Sequence, residues 1–200
     1  MDDLIFKKYK NIGFQYHCDI INKVSLPLLL IGPANVGKKS LIKFNYKNHI
    51  QIENIDTIKD ITNNFFFCNI FIPNVDKLNN INQTILAKYI DMYGSFAKFI
   101  CTSTTNNINY KLNSRCFRYF LKLPSNNEIV KNIQPIMDNE ELNINIDNFF
   151  GKTYHNILVE MTLFKNGNDL TQYYLIDSKI EEIVINIEHI SYTKIRTILY

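Results

Sequence analysis

The residues of this 200-residue chain best suited to chemistry are Gly32-Pro33-Ala34-Asn35-Val36-Gly37-Lys38-Lys39-Ser40. Glycines at 32 and 37 let a backbone fold tightly enough for successive N–H groups to converge on phosphate oxygens. Lys38 adds a mobile cation directly after the second glycine. One position departs from the ordinary phosphate-binding loop. A Ser or Thr normally follows the loop lysine and offers a hydroxyl to magnesium, whereas here Lys39 follows and Ser40 comes one residue late. On a helix that displacement rotates the side chain by about 100°. A nucleotide-splitting site also needs an acidic pair at the end of a second buried strand. The apolar run 65–72 instead gives way to Pro73-Asn74-Val75-Asp76-Lys77-Leu78. Pro73 and Asn74 can neither carry charge nor accept a proton, so this site is expected to lack a general base. An active enzyme would have to recruit a carboxylate from elsewhere, for example Asp76.

The flanking sequence predicts elements that would hold such a loop. Pro27–Ile31 is apolar without alternation and closed by Gly32, which reads as a parallel strand buried on both faces. Residues 14–24 mix apolar and polar positions loosely, with Asp19-Ile20-Ile21 suited to a short helix; 41–46 suit another, and 49–52 a minor strand. Residues 65–72 and 98–101 read as further buried strands, 81–93 as a helix with apolar helical spacing, and 116–123 as an alternating strand. Strands and helices in this order predict an α/β domain with a mostly parallel sheet over residues 1–124. After Pro124, Ser125 and Glu128 form a capping box that opens a helix. Further helical stretches are expected near 146–152 and 154–164, which makes 125–170 a small helical domain. Ile180, Ile183, Val184 and Ile187 mark an amphipathic helix in a last segment, 171–200.

Composition narrows the function classes. Net charge is +3, hydrophobic residues make up 46% and charged ones 20%, enough apolar material for a core and too little charge for a disordered chain. No run reaches the roughly 20 apolar residues needed to span a bilayer, so no membrane partner is expected. Cys18, Cys68, Cys101 and Cys116 lack metal-ligand spacing and read as free thiols. His17, His49, His155 and His189 are scattered, so no metal site is expected. Asparagine takes 28 of the 200 positions, which reads as coding bias and not as chemistry. Lys7, Lys8 and Lys10 form a small basic cluster that reads as a solvated face.

Several motifs fall in register. They are Gly37-Lys38-Lys39, Val75-Asp76-Lys77-Leu78, the strand running into Thr102-Ser103-Thr104-Thr105, Ser114-Arg115-Cys116, and Leu123-Pro124-Ser125. In that order the sequence resembles sliding-clamp loaders of the AAA+ class, above all the catalytically degenerate small subunit of replication factor C, across most of residues 10–165. The resemblance implies an AAA+ nucleotide-binding domain, a helical lid, and the start of a helical collar at 171–200. It implies that Gly32, Pro33, Ala34, Asn35, Val36, Gly37, Lys38, Lys39 and Ser40 hold the phosphates of ATP or ADP, with magnesium in doubt. It implies that Arg115 is an arginine finger reaching into a neighbour's site in trans, that Ser103 stands at the γ-phosphate-sensing position, and that Gln83 and Lys88 couple the site to DNA. Its implied partners are other AAA+ clamp-loader subunits in a hetero-oligomeric ring, a sliding clamp and primer-template DNA. Its implied location is the nucleus, or a cytoplasmic replication site for a virus. Two departures stand out: the tract 41–64 looks too short for the strand and helix the family places there, and residues 152–164 contain no arginine. An active P-loop ATPase or nucleotide kinase, and a scaffold that binds no nucleotide, are the alternative functions.

Overall fold

The computed structural model describes residues 5–9, 11–64 and 67–167. The expected collar segment 171–200 lies outside the described residues. Helices α1 (Ile5–Tyr9) and α2 (Phe14–Ile21) precede strand β1 (Leu28–Ile31) and helix α3 (Lys38–Asn45). Strand β2 (His49–Gln51), a short 3-10 turn at Ile55–Thr57, helix α4 (Ile58–Asn64) and strand β3 (Cys68–Ile72) follow. Next come helix α5 (Asn80–Tyr93), strand β4 (Ala97–Ser103), helix α6 (Tyr110–Asn113) and strand β5 (Phe117–Phe120). Helices α7 (Asn126–Asn139) and α8 (Tyr154–Lys165) end the described chain, with a 3-10 turn at Ile146–Phe149 between them.

The five strands pair in the order β2-β3-β4-β1-β5, every pairing parallel. Side chains alternate across the sheet. Leu29, Ile31, Ile70, Ile72, Phe99 and Cys101 pack on one side with Ile58 of α4, Leu86 and Ile90 of α5 and Leu112 of α6. Leu28, Leu30, Phe71 and Ile100 pack on the other with Phe14, Cys18 and Ile21 of α2 and Leu41 and Ile42 of α3. All four residues of β1 are buried, which explains its unalternated sequence. The molecule is therefore a three-layer α/β fold, a parallel sheet covered by helices on both faces.

A third core lies in the helical part, where Ile129, Ile133, Ile136 and Met137 of α7 meet Ile157, Leu158 and Met161 of α8 around Phe149. Ile5 of α1 is buried in that same cluster, so the N-terminal helix packs with the last helices of the described chain. The capping box is present. Ser125 Oγ accepts from the Glu128 N–H at 3.4 Å, and Glu128 Oε2 accepts from the Ser125 N–H at 2.8 Å.

The structure corrects several expectations. The tract 41–64 is long enough after all, since it contains both β2 and α4. The strand expected over 65–72 begins only at Cys68. Its partner β4 begins at Ala97, opposite Cys68, and Phe67 just before is 84% exposed with φ 55°, while residues 65 and 66 of that expected strand lie outside the described residues. Helix α3 starts at Lys38, inside the phosphate loop, and α6 was not foreseen. The thiols of Cys101 and Cys116 approach each other, and that contact together with complete burial pushes the Cys101 pKa well up, which suits an inert core thiol. No helix among the described residues is long and apolar enough to cross a membrane.

Candidate functional site

The phosphate loop leaves the C-terminal end of β1, the second strand from the open edge of the sheet. Gly32 donates its N–H to the Ser103 carbonyl at 3.2 Å, and the Leu121 N–H bonds the Ile31 carbonyl at 2.7 Å. The loop is thus clamped between the ends of β4 and β5. A side chain at Gly32 would meet the Leu121 carbonyl oxygen at 2.4 Å, so close packing of backbone on backbone demands glycine here. Asn35 and Gly37 take left-handed backbone angles, φ 58° and 95°, and Gly37 caps α3 without any side-chain hydrogen bond. The first N–H groups of α3 therefore face outward with the helix's partial positive charge behind them, which suits an anion.

Lys38 is 8% exposed, and its Nζ lies 2.6 Å from the Gly32 carbonyl oxygen and 2.7 Å from that of Pro33. The ammonium is folded into the hollow of its own loop. Burial lowers its pKa, and the charge of Asp76 opposes that shift.

A cleft of about 590 Å³ opens beside the loop. The loop residues Ala34 to Ser40 form one wall, Gln51 at the end of β2, Glu53 after it and Pro73, Asn74 and Lys77 after β3 another, and Thr102 and Thr104 close the floor. Tyr154, His155 and Leu158 of α8 reach across from the helical part. A second hollow of about 850 Å³ lies on the far side of Val36 and Gly37, and the two share Ile12, Phe14, Val36, Gly37 and Tyr154. There His17 Nδ1 pairs with the Tyr119 hydroxyl at 2.8 Å, and the Tyr154 hydroxyl accepts from Asn132 Nδ2 at 2.7 Å. Burial lowers the His17 pKa, with Glu128 acting against it. Volumes of this size accommodate a nucleotide. The Tyr154 ring lies against Gly13 and the Phe14 ring against Gly37, so the turn before α2 and the first residue of that helix are wedged between loop and α8.

The second acidic position shows a different chemistry. Asn74 is left-handed at φ 51°, and its N–H donates to Thr102 Oγ1 at 3.0 Å. Asp76 faces Thr104, whose hydroxyl and N–H both donate to Oδ2, while Oδ1 is buried with no hydrogen-bond partner among the described residues. Asp76 does not line the cleft. Ser103 is fully buried and bonds Thr105, so Thr102 and Thr104 face the cleft instead of the residue expected to sense phosphate. No group of three or more His, Cys, Asp and Glu side chains able to hold a metal ion occurs among the described residues. The donor set (backbone N–H groups and ammonium ions) fits a nucleotide's phosphates. The two places that usually serve magnesium offer no oxygen ligand of that kind, since Lys39 follows Lys38 and Pro73 follows β3, which leaves Glu53 as the carboxylate in the lining.

Arg115 is far from this cleft. Phe117 pairs with Leu28 and Phe120 with Ile31, so Arg115 precedes β5 at the end of the sheet opposite Gly32, roughly 20 Å away along the strands. Its side chain is 33% exposed and forms a fork on Asp91 of α5, with Nε 2.7 Å from Oδ1 and Nη2 2.7 Å from Oδ2. Nη1 donates to the Lys111 carbonyl at 2.6 Å. The pairing lowers the Asp91 pKa and raises that of Arg115. Gln83 is buried and bridges elements: Nε2 donates to the Leu78 carbonyl at 2.9 Å and Oε1 accepts from the Asn109 N–H at 2.7 Å. Lys88 is exposed on α5. The structure thus gathers Gly32 to Ser40 into one site and places Gln83, Lys88 and Arg115 outside it. Sequence reasoning missed Tyr154 and His155 as cleft residues, and Asp91 as the partner of Arg115.

No curated protein matches the chain at significant similarity. A crystal structure of a DNA polymerase III gamma-subunit-related protein from Thermotoga maritima superposes with a TM-score of 0.48 and 11% identity, over 91% of this chain and 68% of its own. The sigma-54 interaction domain family matches residues 13–123, from the segment wedged under Tyr154 through all five strands. That match takes in more than half of the chain, which accordingly belongs to the sigma-54 interaction domain family, an AAA+-type nucleotide-binding fold.

Proposed function

We propose that the chain is a subunit of a ring-forming AAA+ assembly of the clamp-loader type, binding ATP or ADP without splitting it and lending Arg115 to the site of a neighbour. The observation that carries the proposal is the opposite chemistry of the two ends of the sheet. At the phosphate end, β3 exits through Pro73 and Asn74, and the carboxylate of Asp76 is turned to Thr104. At that exit no carboxylate among the described residues faces the cleft to accept a proton from an attacking water; the carboxylate that does line it, Glu53, lies beyond β2. At the other end Arg115 stands at the surface, oriented by Asp91 and too distant to serve its own loop. A guanidinium bridges two phosphate oxygens in a planar fork, which suits a charge donated across a subunit boundary.

In this role Gly32 to Ser40 hold the phosphates, and residues 125–170 act as a lid that brings Tyr154 and His155 over the cleft. Gln83 ties the start of α5 to the segment leading to Arg115, and Lys88 offers a cation to a DNA backbone. The partners are other AAA+ subunits, a sliding clamp and primer-template DNA, in a nucleus or a viral replication site. The motifs in register, from Gly37-Lys38-Lys39 to Ser114-Arg115-Cys116, support the clamp-loader assignment over other AAA+ assemblies.

The test is the ATPase rate of the complex purified with this chain, carrying wild type or Arg115→Ala. Loss of about a hundredfold or more is expected for a transition-state guanidinium. Unchanged turnover removes the finger role. Saturable binding of labelled ADP that Lys38→Ala abolishes separates this proposal from a nucleotide-free scaffold.

A further inference from the structure

The cleft disagrees with the cofactor its fold implies. A magnesium ion in a phosphate-loop site leans on a hydroxyl directly after the loop lysine and on a carboxylate at the end of β3. Here those places are held by Lys39 and Pro73, a cation and a residue with no donor. Ser40 also lines the cleft, but on α3 it sits about 100° further round than the residue directly after Lys38. Asp76 is the carboxylate nearest in sequence, yet its Oδ2 is bonded by Thr104, its Oδ1 is buried, and it does not line the cleft. The charged residues that do line it are Lys38, Lys39 and Lys77 against one carboxylate, Glu53, with His155 across on α8.

Three ammonium groups within one cleft repel a divalent cation and attract exactly what such a cation would otherwise neutralise, a polyphosphate. Lys38 is folded on the Gly32 and Pro33 carbonyls, ready to exchange them for phosphate oxygen, while Lys39 and Lys77 are exposed and line the cleft from the loop and from the β3 exit. We propose that the cleft takes a nucleoside di- or triphosphate in its metal-free form, the ammonium groups of Lys39 and Lys77 doing the neutralising that magnesium does in a hydrolytic site. This rests on the cleft being a nucleotide site, and it goes further by naming the ionic form bound.

The experiment titrates the full chain with fluorescently labelled ADP and ATP, once in EDTA and once in excess magnesium. Affinity as tight or tighter in EDTA is expected, because magnesium competes with the protein for the phosphates. Lys39→Ala should weaken binding in EDTA about tenfold, the loss of one charge-assisted contact. It should also flatten the dependence of affinity on ionic strength. Lys39→Thr, which restores the ordinary hydroxyl, should not recover that loss in EDTA. Binding that falls about tenfold or more when magnesium is removed overturns the inference and leaves the nucleotide site standing. Absence of saturable binding in both buffers overturns the nucleotide site and the inference with it.

Discussion

Glu140, at the C-terminal cap of α7, ties the helical part together, and replacing it with Gln has a calculable effect. Its Oε1 accepts from Lys8 Nζ at 2.7 Å and from the Tyr9 hydroxyl at 3.1 Å, and its Oε2 accepts from Lys165 Nζ at 2.7 Å. One carboxylate thus joins α1, α7 and the end of α8. Hydrogen bonds from Lys165 first, then Lys8, lower its pKa from 4.5 to about 2. A shift of that size corresponds to about 3.4 kcal/mol at roughly 1.36 kcal/mol per unit. The Glu140 side chain is 8% exposed, but Lys8 and Lys165 are 63% and 38% exposed, so water and salt screen both pairs. Screening reduces the expected contribution to about 1–2 kcal/mol. Because the folded protein binds this proton more weakly than the unfolded chain, the stabilisation is full above pH 4.5 and fades as pH falls toward 2. Urea unfolding near neutral pH should show Glu140→Gln less stable by about 1–2 kcal/mol, a fall of roughly 2–8 °C in Tm. The gap should close as wild type is acidified through that window, and shrink in high salt. Equal stability of the two proteins near neutral pH, or a gap unchanged by acid, would refute the reasoning.

Gly32→Ala sets a Cβ 2.4 Å from the Leu121 carbonyl oxygen, which is held in place by the bond from the Leu121 N–H to Ile31. Neither backbone can yield cheaply, so a loss of about 1–3 kcal/mol in denaturant unfolding is expected, along with weaker nucleotide binding; a loss below about 0.5 kcal/mol would show the loop to be looser than described. Gln83→Leu keeps the volume but strips partners from the Leu78 carbonyl and the Asn109 N–H, a cost of about 2–4 kcal/mol. Hydrogen exchange at the Asn109 amide reads the same event locally, and unchanged protection there would sink the bridging role.

The loop 32–37 and the strand before it were legible because their signals are local. A strand buried on both faces cannot alternate, so Leu28–Ile31 announces itself, and the glycine spacing follows within the same few residues. The capping box at Ser125 and Glu128 was readable for the same reason. What escaped depends on distant residues. The three Phe residues 65–67 have strand propensity, but β4 offers no partner before Ala97, so tertiary register overrode propensity at Phe67. Helix α6 is four residues long, too short for any periodicity to reveal. Ile5 joins a core whose other members lie more than a hundred residues later, and nothing in the local sequence marks it. Tyr154 and His155 enter the cleft only because the helical part folds back over the loop.

The pairing of Arg115 with Asp91 bears on whether a guanidinium held by its own chain can still serve another. Arginine carries five N–H donors. Asp91 takes the edge formed by Nε and Nη2, and the Lys111 carbonyl takes one donor of Nη1. Nη1 also reaches Ser114 Oγ at a long 3.5 Å, so one N–H on Nη2 has no acceptor among the described residues and the second on Nη1 is held only weakly. In a planar guanidinium the Nη1–Nη2 edge is a fork suited to two phosphate oxygens. An exposed ion pair contributes only about 0–1 kcal/mol, too little to compete with a triphosphate yet enough to narrow the rotamers sampled. Orientation fixed beforehand lowers the entropy lost on docking. The link through Gln83 then acquires a direction. It ties the Leu78 carbonyl, just past the cleft residue Lys77, to the Asn109 N–H, which caps the helix leading to Arg115. In the proposed function the Gln83 side chain is the link by which a shift of the β3 exit would reach the segment before Arg115. In the proposed ring, a site that binds without splitting would hold that link in one position, and its contribution would be to set the finger presented to the neighbour.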